Sequence, residues 1–261
     1  MFNFHVGIPG IVPDLLHSIV KAGILNGKNS PSILPSKLWQ EQFRGLVNTK
    51  QKRAVFDVAA WGAAEAIIAD LSAFGTVAVS QHALLGCPED CFLKRKVLPY
   101  TDARIARTSE LFAAVPLAFH LTISSQFDYL CTIMNRLPEG KAFSQPSIVP
   151  SWSELVLRIR AAAPDRQIVV WDFEKPEKAA LAFLISLLDA RDTALIEALV
   201  AHLSVTIKRP ELPINSREIH RIPHDQIERL DAQYDLDLQV ISKIEGVSLI
   251  LPDSFPEEFH L

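Results

Sequence analysis

The chain has 261 residues, 49% of them apolar and 21% charged, and 26 basic against 30 acidic side chains leave a formal charge of −4. This balance excludes a disordered polyelectrolyte, and a glycine count of only 10 excludes a collagen-like repeat. The mild acidity argues against bulk nucleic-acid binding, which leans on Lys and Arg to neutralise phosphates, and three cysteines are too few for a disulfide framework, which points to a reducing compartment.

Taken in chain order, residues 2–8 are apolar and read as a strand. The Pro and Gly residues of 9–13 predict a turn. Asp14 is the expected N-cap of a helix over 15–22. Residues 26–35, rich in Asn, Ser, Gly and Pro, read as a loop, with helices expected at 37–48 and 54–72. Strands follow at 76–80, 117–123 and 167–173. Helices are expected at 104–112, 127–135, 151–162 and 176–188, the last apolar nearly all round and therefore internal. The tail 193–261 reads as mostly helical, with a Pro-rich loop at 209–223 and a short strand at 247–251. No basic region followed by an apolar run opens the chain, and no stretch reaches the ~20 apolar residues of a membrane span. The expected location is the cytoplasm.

Apolar strands alternating with helices predict a mostly parallel sheet covered on both faces. Ligands of such sheets sit beyond the carboxyl ends of the strands. The candidate rim is therefore Gly7 to Asp14, Gln81-His82, Ser124-Ser125-Gln126 and Asp172 to Lys175. His82 offers an imidazole for general-base or metal chemistry, against the alternative of a hydrogen-bonded rim residue. Cys87 and Cys91 near His82 are a near miss to zinc-ligand spacing, with Cys131 a distant fourth ligand, and free thiols are the competing reading. Asp172 and Glu174, two apart at a strand end, share one face and form an acid/base pair, a cation site or a rim pair with Lys175 or Lys178. Trp152, Trp171 and Tyr234 are expected in the core. Gly-x-Ser-x-Gly, Gly-x-Gly-x-x-Gly, His-Glu-x-x-His and Gly-Lys-Ser/Thr are all missing.

Several segments carry a longer-range likeness. His5-Val6-Gly7 closes the first strand, and Val79-Ser80-Gln81-His82 leads to Gly86. Leu98-Pro99-Tyr100 and Leu111-Phe112 follow, then Leu121-Thr122-Ile123-Ser124-Ser125-Gln126. Ser151-Trp152-Ser153-Glu154-Leu155-Val156 runs on to Val170-Trp171 and Glu174. Ala232-Gln233-Tyr234-Asp235-Leu236-Asp237-Leu238 leads into Ile244-Glu245-Gly246-Val247. In this order the segments resemble the bacterial sulfotransferase-like P-loop family common in alphaproteobacteria. The resemblance implies a three-layer α/β sandwich in one domain over 1–261, with 193–261 as a mostly helical C-terminal extension. It implies 3′-phosphoadenosine 5′-phosphosulfate as donor, held at the first turn (Gly7, Pro9, Gly10) and at Ser124 and Ser125, with His82 at the place of the base.

The matched positions depart from the family pattern where the anion would bind. Gly10 stands where a Lys is expected, Pro13 has no N–H to give, and Asp14 brings a carboxylate to the helix start. Ser124 replaces an Arg that would grip the 3′-phosphate, so a bidentate charged contact becomes one neutral hydrogen bond. The expected function is a sulfotransferase-like protein with a degenerate donor site. The alternatives are an active sulfotransferase acting on a hydroxyl or amine, and a non-catalytic scaffold. A small molecule, a protein partner or a second copy of the chain are the partners this leaves open, without nucleic acid or a membrane span.

Overall fold

The structure is a computed structural model and describes residues 1–7, 11–26, 30–47, 57–73, 75–81, 84–86, 98, 100–134, 151–207 and 223–254. Its centre is one six-stranded sheet: β1 (Phe2–Gly7), β2 (Ser32–Ile33), β3 (Val77–Ser80), β4 (Leu117–Ile123), β5 (Gln167–Asp172) and β6 (Val247–Ile250). The spatial order is β2-β3-β1-β4-β5-β6, and every pair is parallel. All five strands expected from the sequence are present. β2 lies inside the stretch expected as a loop. Only two residues of it pair, Ser32 with Val77 and Ile33 with Ala78, and so short a pairing leaves no periodic signal.

Helices cover both faces, giving three layers. One face carries α1 (Ile11–Lys21), α7 (Pro176–Leu188) and α8 (Thr193–Thr206). The other carries α2 (36–47), α3 (Val58–Ser72), α4 (Thr101–Leu111), α5 (Gln126–Met134), α6 (Trp152–Ala162) and α9 (His224–Ile241). The strand pleat sorts side chains between the layers: Phe2, Phe4 and Val6 enter the larger core, whereas Ala78, Val169 and Trp171 enter the core under α7.

Two helix starts differ from the sequence expectation. α1 begins at Ile11, so Pro13 and Asp14 lie in its first turn and not before it. Amide groups of a first turn have no intrahelical acceptor, so the missing N–H of Pro13 costs nothing there, and the Asp14 carboxylate sits at the favourable end of the helix dipole. α2 contains a π-helical turn, Trp39–Phe43, and both of these aromatic residues are buried, with their rings stacked at 5.5 Å. By contrast, α6 starts where the sequence places it, with Ser151 as its cap, the hydroxyl accepting the Glu154 N–H at 3.2 Å. α7 opens on Pro176, where a fixed φ and a missing donor suit the first helical position.

The C-terminal segment enters all three layers. α8 lies on α7 and α1, α9 lies on α5 and α6, and β6 extends the sheet beside β5. The Pro-rich stretch expected at 209–223 falls outside the described residues except Pro223. No helix of the described residues is long and apolar enough to cross a membrane.

Candidate functional site

The topology creates a crevice at the carboxyl end of β1. The chain leaving β1 enters α1 on one face of the sheet. The chains leaving β3 and β4, the two neighbours of β1, enter α4 and α5 on the other. Such divergence is the switch point at which open parallel sheets bind ligands.

Three polar side chains meet there. His5 of β1 is fully buried and lies opposite Ser80 of β3 in the strand register. Its Nδ1 is 2.9 Å from Ser80 Oγ, and its Nε2 is 3.0 Å from Thr122 Oγ1 of β4. Phe183 of α7 meets the imidazole edge-on, with ring centroids 5.6 Å apart. Gly7 fills the next turn of the pleat. It has φ +135°, and the place of a Cβ is only 2.4 Å from the Thr122 carbonyl oxygen.

Carboxylates gather at the carboxyl end of β5, two strands from β1. Asp172 ends β5 and is buried; its Oδ1 accepts the Tyr234 hydroxyl at 2.6 Å and the Glu174 amide at 2.8 Å. Burial raises its pKa despite these two hydrogen bonds and the nearby Lys175 charge. Desolvation also raises Glu174 and Asp128, and for Glu174 the Asp172 charge adds to it. The Tyr234 phenol is pushed far above its ordinary value by burial and by the Asp172 carboxylate. It is therefore a hydrogen-bond donor throughout the physiological range. The rim salt bridges anticipated for Asp172 and Glu174 do not form between these groups: Lys178 and Lys175 instead meet Asp253, at 2.8 and 4.0 Å.

One further carboxylate lies deeper. Asp237 of α9 is fully buried and accepts five hydrogen bonds. Its Oδ2 receives Gln126 Nε2 at 2.8 Å and the Trp152 N–H at 2.7 Å. Its Oδ1 receives the hydroxyls of Ser151 and Ser153 at 2.8 and 2.6 Å, and Gln233 Nε2 at 3.2 Å. The anion thus sits on the amino end of α6, where helix N–H groups favour negative charge.

Ser124 and Ser125 follow β4 and are nearly buried. The Ser124 carbonyl accepts Trp152 Nε1 at 2.8 Å, and Ser125 Oγ accepts the Asp128 N–H at 3.2 Å, capping α5. Gly7 is at the β1 end, as described. Pro9, Gly10, His82, Cys87 and Cys91 lie outside the described residues. Cys131 is a free, buried thiol raised to about 11, chiefly by desolvation, which makes it a poor nucleophile. No group of three or more His, Cys, Asp and Glu among the described residues is arranged to hold a metal ion. Trp152, Trp171 and Tyr234 are in the core, as expected.

The residues that sequence reasoning passed over are His5, Ser80, Thr122, His120 and Asp237. A signal was present for the strand residues. Asn3 and His5 alternate with Phe2, Phe4 and Val6, and His120 and Thr122 alternate with Phe119, Leu121 and Ile123. Polar side chains at every second position of a strand buried on both faces must find partners inside the protein.

His120 gives this layer a pH dependence. It is buried against Trp171, whose Nε1–H it accepts at 3.2 Å, and burial pushes its pKa down to about 4 from 6.5. Unfolded chains take up this proton as pH falls through 6.5, while the folded chain resists it down to about 4. Stability is therefore undiminished above pH 6.5 and is withdrawn as pH falls across that window, by about 3 kcal/mol in all. Asp128, Asp172 and Glu174, with raised values, act in the opposite sense once pH reaches the carboxylate range. The expected result is a fall in Tm on going below pH 6.5 that is smaller in His120→Gln, which keeps an acceptor for Trp171. Equal slopes in thermal melts of the two proteins would refute it.

Comparison of the chain with protein-family models, with curated proteins and with solved structures finds no match.

Proposed function

We propose that the chain is a sulfotransferase-like protein of the P-loop type whose donor site is degenerate, and that the crevice beside β1 takes a ligand other than 3′-phosphoadenosine 5′-phosphosulfate. A parallel sheet with β1 in its interior, flanked by β3 and β4, is compatible with the nucleotide-binding architecture that the resemblance implies. The observation that carries the degenerate reading is the chemistry of the crevice lining. At the carboxyl ends of β1, β3 and β4, His5, Ser80, Thr122, Ser124 and Ser125 supply an imidazole and hydroxyls, and β5 ends at the Asp172 and Glu174 carboxylates.

A phosphosulfate needs cations or free N–H groups aimed at it. Ser125 Oγ accepts the Asp128 N–H in the α5 cap, and the Ser124 hydroxyl donates to the Ser125 carbonyl oxygen at 3.3 Å, so neither position brings a cation or a free backbone N–H. Two of the described arginines are engaged elsewhere. Arg166, just before β5 at the amino edge of the sheet, binds the Ser109, Phe112 and Val115 carbonyls, and Arg158 pairs with Asp102.

Thermal melting with 3′-phosphoadenosine 5′-phosphate tests this. A ligand at 100 times its Kd adds about 2.7 kcal/mol, which for a chain of this size lifts Tm by roughly 5–10 °C. The expected outcome is no saturable shift. A shift of that order would restore the donor-dependent sulfotransferase reading and make a hydroxyl or amine acceptor worth seeking.

A further inference from the structure

We propose that Ser80 is a nucleophile, that His5 is its general base and that Thr122 positions the base, forming an acyl-transfer site for a small uncharged carboxylic ester at the β1 switch point. The parts meet the geometric requirement for an activated hydroxyl. Ser80 Oγ is 2.9 Å from His5 Nδ1, and the other ring nitrogen is held at 3.0 Å by Thr122 Oγ1.

The three residues come from three adjacent strands, so the sheet itself fixes their spacing. His5 and Ser80 are register partners, and the ladder continues one residue further, where the Gln81 N–H donates to the His5 carbonyl at 2.9 Å. Thr122 is the register partner of Gly7, two residues beyond His120, and so presents its hydroxyl on the His5 face. Phe183 packs edge-on against the imidazole.

The pattern of burial also fits. His5 is wholly buried, whereas Ser80 is only half-buried and ends its strand at the crevice. With the Ser80 hydroxyl donating to Nδ1, the ring proton is on Nε2 and is given to Thr122 Oγ1.

The step balances without any other reagent than water. Ser80 Oγ attacks the ester carbonyl carbon while its proton passes to His5 Nδ1. Collapse of the tetrahedral intermediate breaks the bond to the alcohol oxygen, which takes that proton and leaves as the alcohol. Water then attacks the acyl-serine, giving a proton to Nδ1, and expulsion of Ser80 Oγ returns it as the hydroxyl and frees the acid. Thr122 is a neutral partner for the imidazolium, weaker than a carboxylate would be, so turnover is slow and a strong electrophile is the right probe.

The full-length chain is treated with a biotinylated fluorophosphonate, which loses fluoride on forming a phosphonyl-serine, and the adduct is located by intact and peptide mass spectrometry. One adduct, on Ser80, is expected. It is absent in Ser80→Ala and forms at least about 10²-fold more slowly in His5→Gln. Thr122→Val slows it and Thr122→Ser restores it, a rescue that a purely structural hydroxyl in a stably folded variant would not produce in the labelling rate. Melting curves of all four variants identify any that fails to fold, and Ser80→Ala, which loses one oxygen, keeps the test open if His5→Gln does not. No adduct on Ser80 under conditions that label a serine hydrolase, or an adduct forming equally fast in folded His5→Gln, overturns the proposal. Neither outcome bears on the nucleotide melting experiment, which is read separately.

Discussion

Asp237→Ala is expected to lower the unfolding free energy by about 3–5 kcal/mol and Tm by roughly 10 °C. The reason is the number of donors left behind. Gln126, Ser151, Trp152, Ser153 and Gln233 all give hydrogen bonds to this one carboxylate, which is fully buried. Removing it strands the buried Gln126 and Trp152 donors, and the penalty for such groups exceeds the modest net gain of forming each bond. It also unties α9 from α5 and α6, since the donors come from both helices and from the α6 cap.

Asp237→Asn separates charge from shape. The Trp152 N–H can only donate and must face the remaining oxygen, so the new amide nitrogen turns toward Ser151 and Ser153, whose hydroxyls can rotate to accept it. Its loss should be clearly smaller than that of Ala. Urea unfolding followed by circular dichroism measures both. An Asp237→Ala loss within the range of an ordinary surface substitution, about 0.5 kcal/mol, would mean that the anion is not the tie between these helices.

The elements that could be read from sequence are those whose signal is local. β4 was legible because seven consecutive residues suit a strand buried on both faces, and α7 because Pro176 marks its start and an apolar run fills it. The Ser151 cap of α6 is a three-residue signal. β2 was not legible because its two residues are ordered by β3, 45 positions further on. Similarly, the start of α1 was displaced because proline and aspartate serve equally in a turn and in a first helical turn.

The site was less legible than the fold, for a physical reason. Tyr234 reaches Asp172 across 62 positions, Asp237 reaches Gln126 across 111, and Thr122 reaches His5 across 117. No spacing rule covers such pairs. What the sequence did offer was the list of polar residues inside apolar strands, and the rim: Gly7, Ser124, Ser125 and Asp172 all lie at the carboxyl ends of strands, as the parallel arrangement implied. Their partners had to come from the topology.

Gly7→Ala is the backbone counterpart of the Asp237 experiment and is expected to cost about 3 kcal/mol or more. Gly7 has φ +135°, a conformation that side chains with a Cβ rarely adopt. Relaxing that angle does not help, because the Cβ position lies 2.4 Å from the Thr122 carbonyl oxygen and 2.7 Å from both its amide nitrogen and Oγ1. Two of these three atoms belong to the backbone of β4, which is hydrogen-bonded to β5 on its other side and cannot retreat alone. The third is the hydroxyl that holds His5 Nε2. The substitution therefore strains the centre of the sheet and displaces the imidazole at the same time. A lowered urea midpoint together with slower fluorophosphonate labelling of the folded fraction is the expected pair of results. By comparison, Gly45→Ala lies in the helical segment Arg44–Val47, where a Cβ meets nothing within 4 Å, and should leave the labelling rate unchanged and the urea midpoint equal or slightly higher. A Gly7→Ala protein as stable as the Gly45→Ala control would show that β1 and β4 do not approach as closely as the 2.4 Å contact requires.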